Sequence, residues 1–213
     1  MISIDPTLVP ARDVYRLIAG LVIPRPIAWI STINADGSAN LAPFSFYNAV
    51  SGNPPVVMIS IGSRGGTPKD TLRNIQETGE FVVHLADEAL ARAMNLTSSD
   101  LPYGVDEFNL AGLAKVASDT VRPPRIASAP AAMEAKATQF VPIEGSTYTL
   151  VLGRVTRFHL REGLLRPDGT PDSRGLAPVA RLTGDEYSAL GEIFSLSRPS
   201  VVERPLTAGR PSN

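Results

Sequence analysis

Short apolar runs, rather than long helical periods, dominate the hydrophobic pattern of this chain. Residues 27–33, 56–61 and 80–85 are rich in valine, isoleucine or phenylalanine and are bounded by proline, glycine or asparagine. Runs of roughly four to eight such residues are typical of buried β-strands. We therefore predict strands at these three places. Asp36-Gly37 predicts a hairpin turn that leads back into a strand over residues 38–46.

Two longer segments continue the β pattern in the second half of the chain. Residues 131–140 begin with alternating side chains, which predicts a strand, although the alanines leave a helix open. Residues 147–160 predict a long strand or strand pair, with Gly153 as a bulge site. In the earlier hairpin, Pro43 lacks a backbone N–H group and therefore predicts a bulge or an edge strand.

Helical patterns are fewer and shorter than the strand patterns. They cover residues 13–20, 69–78 and 87–96, whereas residues 97–130 have no clear period. Because hairpin-linked strands outnumber helices and no regular β-α-β alternation occurs, we expect a mainly β barrel with a few peripheral helices. We expect one domain over 1–213, with its core at about residues 12–165 and a C-terminal extension over 166–213.

Composition and charge then exclude several classes of protein. Lys and Arg number 20 and Asp and Glu 21, so the net charge of -1 lacks the basic footprint of a nucleic-acid binder. The absence of cysteine excludes thiolate metal sites, and two histidines leave little for any metal centre. Neither a signal peptide nor a membrane-spanning run occurs, so we expect a cytoplasmic protein with no membrane partner.

A glycine-rich segment between a strand and a helix is the first candidate for chemistry. Residues 60–71 are Ser-Ile-Gly-Ser-Arg-Gly-Gly-Thr-Pro-Lys-Asp-Thr. Glycine permits close backbone approach, and the N-terminus of the following helix offers unpaired N–H groups. Arg64 and Lys69 add full charges, which together predict a phosphate site. The spacing matches neither the P-loop nor the dinucleotide fingerprint, and a solvated glycine turn remains the alternative.

The second candidate is the returning strand of the first hairpin. Residues 40–48 are Asn-Leu-Ala-Pro-Phe-Ser-Phe-Tyr-Asn and could present hydroxyl and backbone groups to a flat heterocycle. A plain strand with core aromatics is the alternative. His84 and His159 have no acidic cluster beside them in sequence, so each is expected to be structural, and no G-x-S-x-G elbow is present.

The candidate segments occur in an order that resembles the flavin reductase-like family of FMN-binding split barrels. Each motif is loose alone, but the ordered set covers most of the chain. The segments that carry the resemblance are residues 25–32, 36–48, 54–62, 69–75, 80–85, 153–159 and 180–191.

The resemblance implies a split β-barrel that dimerises and holds FMN near the subunit interface. The segments that line the flavin ring and the ribityl chain in the family match Ser31, Thr32, Asn40, Ala42, Ser45, Phe46, Tyr47 and Asn48 here. The phosphate end matches Ser60, Arg64, Lys69, Asp70 and Thr71. His159 matches a histidine near the flavin face and is the candidate catalytic residue, while the Ser45 hydroxyl is expected near the flavin N5 atom.

The function implied by the resemblance is hydride transfer from NADH or NADPH to FMN. The reduced flavin could then supply a partner flavin-dependent monooxygenase. One alternative is a protein that binds flavin for storage, transport or sensing without reducing it. A third is a barrel that binds another ligand, such as haem or a pyridoxal-type phosphate, although the scarcity of histidine and cysteine argues against haem.

Overall fold

A computed structural model describes residues 1–199 of the chain, apart from the side chain of Arg64. Within that part, strands predominate and the helices are short. A single 3-10 turn covers Pro6–Leu8. The helices are α1 (Ala11–Leu21), α2 (Asp70–Thr78), α3 (Ala91–Leu96), α4 (Glu107–Leu110) and α5 (Ser173–Leu176).

The strands range from two-residue bridges to segments of 13 residues. In chain order they are β1 (Arg25–Pro26), β2 (Ala28–Ile33), β3 (Ala39–Phe44), β4 (Tyr47–Gly52), β5 (Pro55–Arg64), β6 (Thr67–Pro68), β7 (Glu80–His84), β8 (Lys115–Val116), β9 (Arg125–Ile126), β10 (Ala131–Pro142), β11 (Tyr148–Leu160), β12 (Ala180–Arg181) and β13 (Tyr187–Ser188).

One antiparallel sheet forms the body of the molecule. Its strand order is β3-β2-β7-β10-β11-β5-β4, and β6 pairs with β5. The sheet curls until β3 approaches β5, which makes a half-barrel. Two small sheets, β1-β12-β13 and β8-β9, lie outside this body. The mainly β architecture with peripheral helices that the sequence predicts is confirmed.

Successive side chains of β2 point to opposite faces of the sheet, and both faces are covered by apolar clusters. Ala28 and Ile30 belong to the cluster inside the half-barrel, together with Phe81. Trp29 points to the other face, where it packs in a second cluster with Phe108 of α4. Because both faces are buried, residues 27–30 are apolar at every position, which is why this run is so visible in the sequence.

Three sequence-based boundaries were wrong, each for a local reason. The strand predicted over 38–46 ends at Phe44, and the chain turns there into β4. The strand predicted over 56–61 continues to Arg64, and the glycine-rich segment forms a hairpin of β5 and β6 whose tip is Gly65-Gly66, with φ of 54° and 82°. The helix predicted over 87–96 starts only at Ala91, because the Asp87 carboxylate accepts the Leu90 N–H at 3.0 Å and holds a turn.

Gly153 lies beside a bulge, but the additional residue belongs to the opposite strand. The register between β10 and β11 shifts at Thr138 of β10, next to the pair of Ala137 with Gly153, and at Thr156 of β11. Packing also requires glycine at position 153, because a Cβ atom there would overlap the Phe81 ring. The strand predicted over 131–140 is confirmed as β10, and the helix alternative is excluded.

The later segments cover the outside of the sheet. Residues 117–126 cross it and are held by the buried carboxylate of Glu134, which accepts N–H bonds from Asp119 and Thr120. The expected C-terminal extension is described as far as residue 199, and its β12 pairs with β1. No described helix has the length and apolar character needed to cross a membrane.

Candidate functional site

Three cavities lie around β1, β3 and the ends of the neighbouring strands. The polar cavity, about 340 Å³, includes Asn40, Lys69, Thr71 and Glu107. The arginine cavity, about 410 Å³, includes Arg12, Arg16, Arg25, Ser45 and Arg181. The apolar cavity, about 610 Å³, includes Ile27, Tyr47, Met133, Phe158, His159 and Leu190.

The N-terminus of α2 forms one wall of the polar cavity. Lys69 occupies the N-cap position, and no described side chain caps the first turn of the helix. The unpaired N–H groups and the positive end of the helix dipole therefore favour an anion at this point. Lys69 adds a cation, whose Nζ lies 5.5 Å from the centre of the Phe44 ring. Asp70 also lines the cavity, but its carboxylate pairs with Arg73 at 2.5 Å.

Buried amides and hydroxyls connect β2 and β3 to α2 behind this wall. Asn40 Nδ2 donates to Thr32 Oγ1 and to Thr71 Oγ1, both at 3.1 Å. Asn74 Nδ2 donates to Thr32 at 2.9 Å and to Asn34 at 2.7 Å. Because Thr71 accepts from Asn40 and also lines the cavity, its own hydroxyl proton can point to a ligand. The sequence did not single out Asn74, since one amide on a helix carries no signal.

Glu107 closes the polar cavity from the side of α4. Its Oε2 accepts the backbone N–H of Leu41 in β3 at 2.8 Å. Burial raises the pKa of this carboxyl, although the bond from Leu41 acts in the opposite direction. Sequence reasoning missed Glu107, because it lies in the stretch of 97–130 that has no period.

The turn that ends β3 places Ser45 in the arginine cavity. Ser45 Oγ accepts a bond from Arg25 Nε at 3.2 Å, so its own proton remains available. The polar and arginine cavities share Pro43, Phe44 and Ser98 in their linings. A ligand bound at α2 could therefore extend along β3 into the arginine cavity. Ala42 lies on the same path, in the polar cavity.

Tyr47 and His159 line the apolar cavity rather than the other two. His159 Nε2 lies 2.7 Å from Oε1 of Glu134, which is fully buried. Burial opposes ionisation of Glu134, but the bonds it accepts from Thr120, Asp119 and His159 outweigh this and lower its pKa to about 2. Burial raises the pKa of Tyr47 to about 12, so its hydroxyl stays protonated at neutral pH.

Asp119, Glu134 and His159 come close enough together to be considered as metal ligands. The oxygens of Glu134 already accept three bonds from Asp119 and Thr120 and a contact from His159. Two guanidinium groups also face the cluster, with Arg125 3.8 Å from Glu134 and Arg157 3.6 Å from Asp119. Cations and donors therefore occupy the positions that a metal would need, and the cluster is an ionic network.

Five residues that the resemblance proposes lie outside all three cavities, and one of them, Thr32, is bonded to Asn40 behind the polar cavity. Ser31 faces away from Thr32 and donates to the carbonyl of Pro124 at 2.6 Å. Phe46 stacks on Tyr148, with ring centres 5.8 Å apart. Asn48 bonds the next backbone N–H, while Ser60 pairs with Leu150 and donates its N–H to the Phe46 carbonyl. For these residues flavin contact stays a prediction. The Arg64 side chain lies outside the described part of the structure.

Comparisons with known proteins identify the family. Residues 20–175 match the family model of the flavin reductase like domain. The structure of nitrilotriacetate monooxygenase component B from Bacillus cereus is 38% identical, with 92% of this chain and 98% of that chain covered and a TM-score of 0.89. The Pseudomonas fluorescens 2-nitrobenzoate 2-nitroreductase NbaA is 30% identical, with coverage of 96% and 100% and a TM-score of 0.86.

A more distant structure identifies the architecture. A Shewanella frigidimarina protein with a split barrel domain is 19% identical, covers 91% of this chain and 96% of its own, and has a TM-score of 0.81. At this identity the match shows the fold alone, and it confirms the expected split barrel. Because the matched family domain spans most of the sequence, this chain belongs to the family of the flavin reductase like domain.

Proposed function

We propose that the protein is an FMN-dependent reductase that takes hydride from NADH or NADPH. The observation that carries the proposal is the polar cavity, where the uncapped N-terminus of α2, Lys69 and Thr71 meet. This donor set fits a phosphate monoester. The cavity continues past Pro43 and Phe44 to Ser45, so a ligand held by its phosphate can place a ring beside a hydroxyl donor.

The residues that would hold FMN follow from this arrangement. Lys69, Thr71 and the first turn of α2 would bind the phosphate, and Asn40 would face the polyol chain. Ser45, held by Arg25, would donate to the ring. When bound, FMN would accept a hydride from NAD(P)H, which becomes NAD(P)⁺, and the flavin would take up one proton from solvent. The protein's contribution is to orient the two substrates and to limit water around them.

The homodimer is a further part of the proposal. Phe158 and Leu190 line the apolar cavity and are 56% and 44% exposed, so this apolar wall lacks a complete cover within one described chain. A second copy of the chain is the simplest cover, in line with the resemblance. His159 lies in the same wall and would reach a flavin only in such an assembly, so its catalytic role depends on the dimer.

We further propose that the reduced flavin can serve a separate oxygenase. The support is the 38% identity to a protein described as component B of a monooxygenase. A reductase that hands reduced flavin to another protein needs no oxygenase site of its own.

Flavin binding and flavin reduction need separate experiments. We expect FMN fluorescence to be quenched on titration with the protein, and Lys69→Ala and Thr71→Ala to raise the FMN Kd by about tenfold, since each removes a bond to a charged phosphate. Lys136→Ala, an exposed lysine on β10, is the matched control and should bind FMN normally. Normal FMN binding by both cavity variants would contradict the phosphate assignment.

Reduction is tested by adding NADH or NADPH to the FMN-loaded protein without oxygen. We expect the flavin absorption near 450 nm to bleach with at least one of the two, at a rate suited to turnover (roughly 1 per second or faster). A protein that binds FMN but bleaches with neither nucleotide would instead be a flavin-binding module for storage or sensing. Its bound flavin would then have to be reduced by another protein.

Nitro-group reduction is the second candidate function. The observation that favours it is the 30% identity, over 96% of the chain, to a protein described as a 2-nitrobenzoate 2-nitroreductase. The test is to add 2-nitrobenzoate to the protein with FMN and NADPH. Nucleotide oxidation that rises with nitrobenzoate concentration would support this activity, and an unchanged rate would exclude this substrate.

A further inference from the structure

The arginine cavity holds more positive charge than its neighbours neutralise. Four guanidinium groups line it: Arg12 and Arg16 from α1, Arg25 from β1 and Arg181 from β12. Arg12 and Arg16 are one helical turn apart and Arg25 follows α1, but Arg181 lies far along the chain, so the sequence does not show the full set. The fold brings them to one hollow, with Asp185 as the one carboxylate in its described lining.

Arg25 and Arg181 are the two inner arginines of the cavity, and their partners are largely neutral. Arg25 is 5% exposed and donates to Ser45 Oγ and to the carbonyls of Ala19, Val22 and Leu182. No described carboxylate lies within ion-pair distance of it. Burial lowers the pKa of Arg25, and the nearby Arg181 cation lowers it further against the opposing effect of Tyr15.

Arg181 has one weak ionic partner. It donates to the Gly184 carbonyl and the Tyr187 hydroxyl, and it lies 3.6 Å from Asp185, whose side chain is fully exposed. An exposed ion pair of this length contributes little free energy. The two inner cations therefore repel each other without a buried anion between them.

The two outer arginines form the rim of the cavity. Arg12 and Arg16 share one carboxylate, Asp13, at 3.5 Å and 3.4 Å, and their side chains are 74% and 65% exposed. Both side chains can turn toward a ligand at small energetic cost, because exposed pairs of this kind are weak. Guanidinium groups bind phosphate oxygens in pairs, which makes phosphate the anion that suits such a set.

We propose that the arginine cavity binds the phosphate groups of the nicotinamide dinucleotide. The proposal rests on the reductase function, for which this dinucleotide is the second substrate. The cavity shares Pro43 and Phe44 with the polar cavity and contains Ser45, so a dinucleotide anchored there can bring its nicotinamide to a flavin along β3. Either the 2′-phosphate of NADPH or the pyrophosphate common to both nucleotides could occupy it.

The test is calorimetric titration of the full chain, with FMN added, using NADP⁺, NAD⁺ and 2′,5′-ADP. The variant is Arg12→Ala with Arg16→Ala, which leaves the inner bonds of Arg25 and Arg181 intact. We expect the Kd of NADP⁺ and of 2′,5′-ADP to rise at least about tenfold. Arg122→Ala is the matched control, because Arg122 is 64% exposed, also pairs with one carboxylate and lines none of the three cavities.

The outcomes distinguish the 2′-phosphate from the pyrophosphate as the bound group. They also distinguish failure of the nucleotide site from failure of the reductase function. A loss confined to NADP⁺ and 2′,5′-ADP assigns the 2′-phosphate, and a loss that includes NAD⁺ to the same degree assigns the pyrophosphate. Equal Kd values in the wild type and the double variant for all three nucleotides, or no binding of any of them to the wild type, would overturn the proposal. The reductase function fails on a different result, namely the absence of flavin bleaching, and FMN affinity should be equal in all these variants.

Discussion

At Gly153 the ring of Phe81 fills the space where a side chain would lie. A Cβ atom there would overlap Cζ of Phe81 and lie 2.8 Å from its Cε1, and this ring is fully buried in the half-barrel. Since the ring cannot move without displacing its neighbours, we expect Gly153→Ala to lower the free energy of unfolding by about 1–3 kcal/mol. Urea unfolding measures this change.

A glycine with open space provides the control for that variant. Gly52, at the end of β4, has a backbone φ outside the positive range, and a Cβ atom added to it would meet no other atom within 4 Å. Gly52→Ala should therefore unfold at nearly the same urea concentration as the wild type. If Gly153→Ala also unfolded at the wild-type urea concentration, the close packing of the Phe81 ring against Gly153 of β11 would be contradicted.

His84 links stability to pH in a defined range. Its Nδ1 bonds the Trp29 carbonyl at 2.9 Å, and its Nε2 accepts the Ile126 N–H at 3.0 Å, so both ring nitrogens are in use. Burial lowers the pKa of His84 from its ordinary 6.5 to about 4. Between pH 6.5 and pH 4, His84 is therefore protonated in the unfolded chain but stays neutral in the folded protein. The free energy of unfolding should consequently fall as the pH drops from 6.5 to 4.

We expect His84→Gln to flatten that part of the profile, even though it lowers stability at pH 7. Urea unfolding of both proteins at pH 7, 6, 5 and 4 checks this. If the wild type and His84→Gln lost the same stability between pH 7 and pH 4, His84 would not be the group responsible.

The sequence predicts the facing of a residue where side chains alternate along a strand. It does not predict contacts between residues that are distant in the chain. The resemblance proposes both Ser31 and Thr32 for the flavin site. These neighbours face opposite sides of β2, where Thr32 accepts from Asn40 and Ser31 donates to the Pro124 carbonyl, and flavin contact by either stays a prediction. Glu107 and the arginines of the arginine cavity acquire their positions through folding alone. The i,i+4 spacing of Arg12 and Arg16 predicts their proximity on one helix, but no spacing could have placed Arg25, Arg181 or Glu107.

The segment 117–126 takes three of its hydrogen bonds from one side chain, that of Glu134. Asp119 and Thr120 donate three bonds to Glu134, whose pKa is lowered to about 2 from an ordinary 4.5. Because ionised Glu134 holds this segment, we expect Glu134→Gln to cost about 1.5–3 kcal/mol at pH 7. The difference from wild type should shrink as pH falls from 4.5 toward 2, where the wild-type carboxylate is also neutralised.

Hydrogen exchange locates the effect of this variant. Backbone amides in 117–126 should exchange faster in Glu134→Gln at pH 7, while those of β10 should change less. Glu144→Gln, an exposed carboxylate in the turn after β10, should leave the segment protected. Unchanged protection in Glu134→Gln would mean that other contacts, such as that of His84 with Ile126, hold the segment alone.

The elements themselves were predictable to different degrees. Buried strands such as β2, β5 and β7 follow from apolar runs, and α2 follows from its pattern and Gly79, which ends the helix with φ of 70°. The stretch 97–130 was not predictable, because side-chain and loop hydrogen bonds, rather than a period, fix its path.

For the whole molecule, the proposed dimer makes a prediction about mass. We expect sedimentation at micromolar concentration to give twice the mass of one chain. Phe158→Lys puts a charge in the exposed part of the apolar cavity and should yield monomers, since a lysine there would be buried without a partner. Phe140→Lys, on the same sheet but 37% exposed and outside the three cavities, is the control. A Phe158→Lys protein that remains dimeric would place the interface elsewhere.

The outer edge of β3 bears on whether other chains can extend the sheet of this protein. An edge strand with free N–H groups invites another chain to extend the sheet, which leads to aggregation. On β3 the outward N–H of Leu41 is taken by Glu107, and two residues further on Pro43 has none to offer. The strand that borders both the polar and the arginine cavities can therefore stay open to small molecules while it remains a poor template for fibre growth.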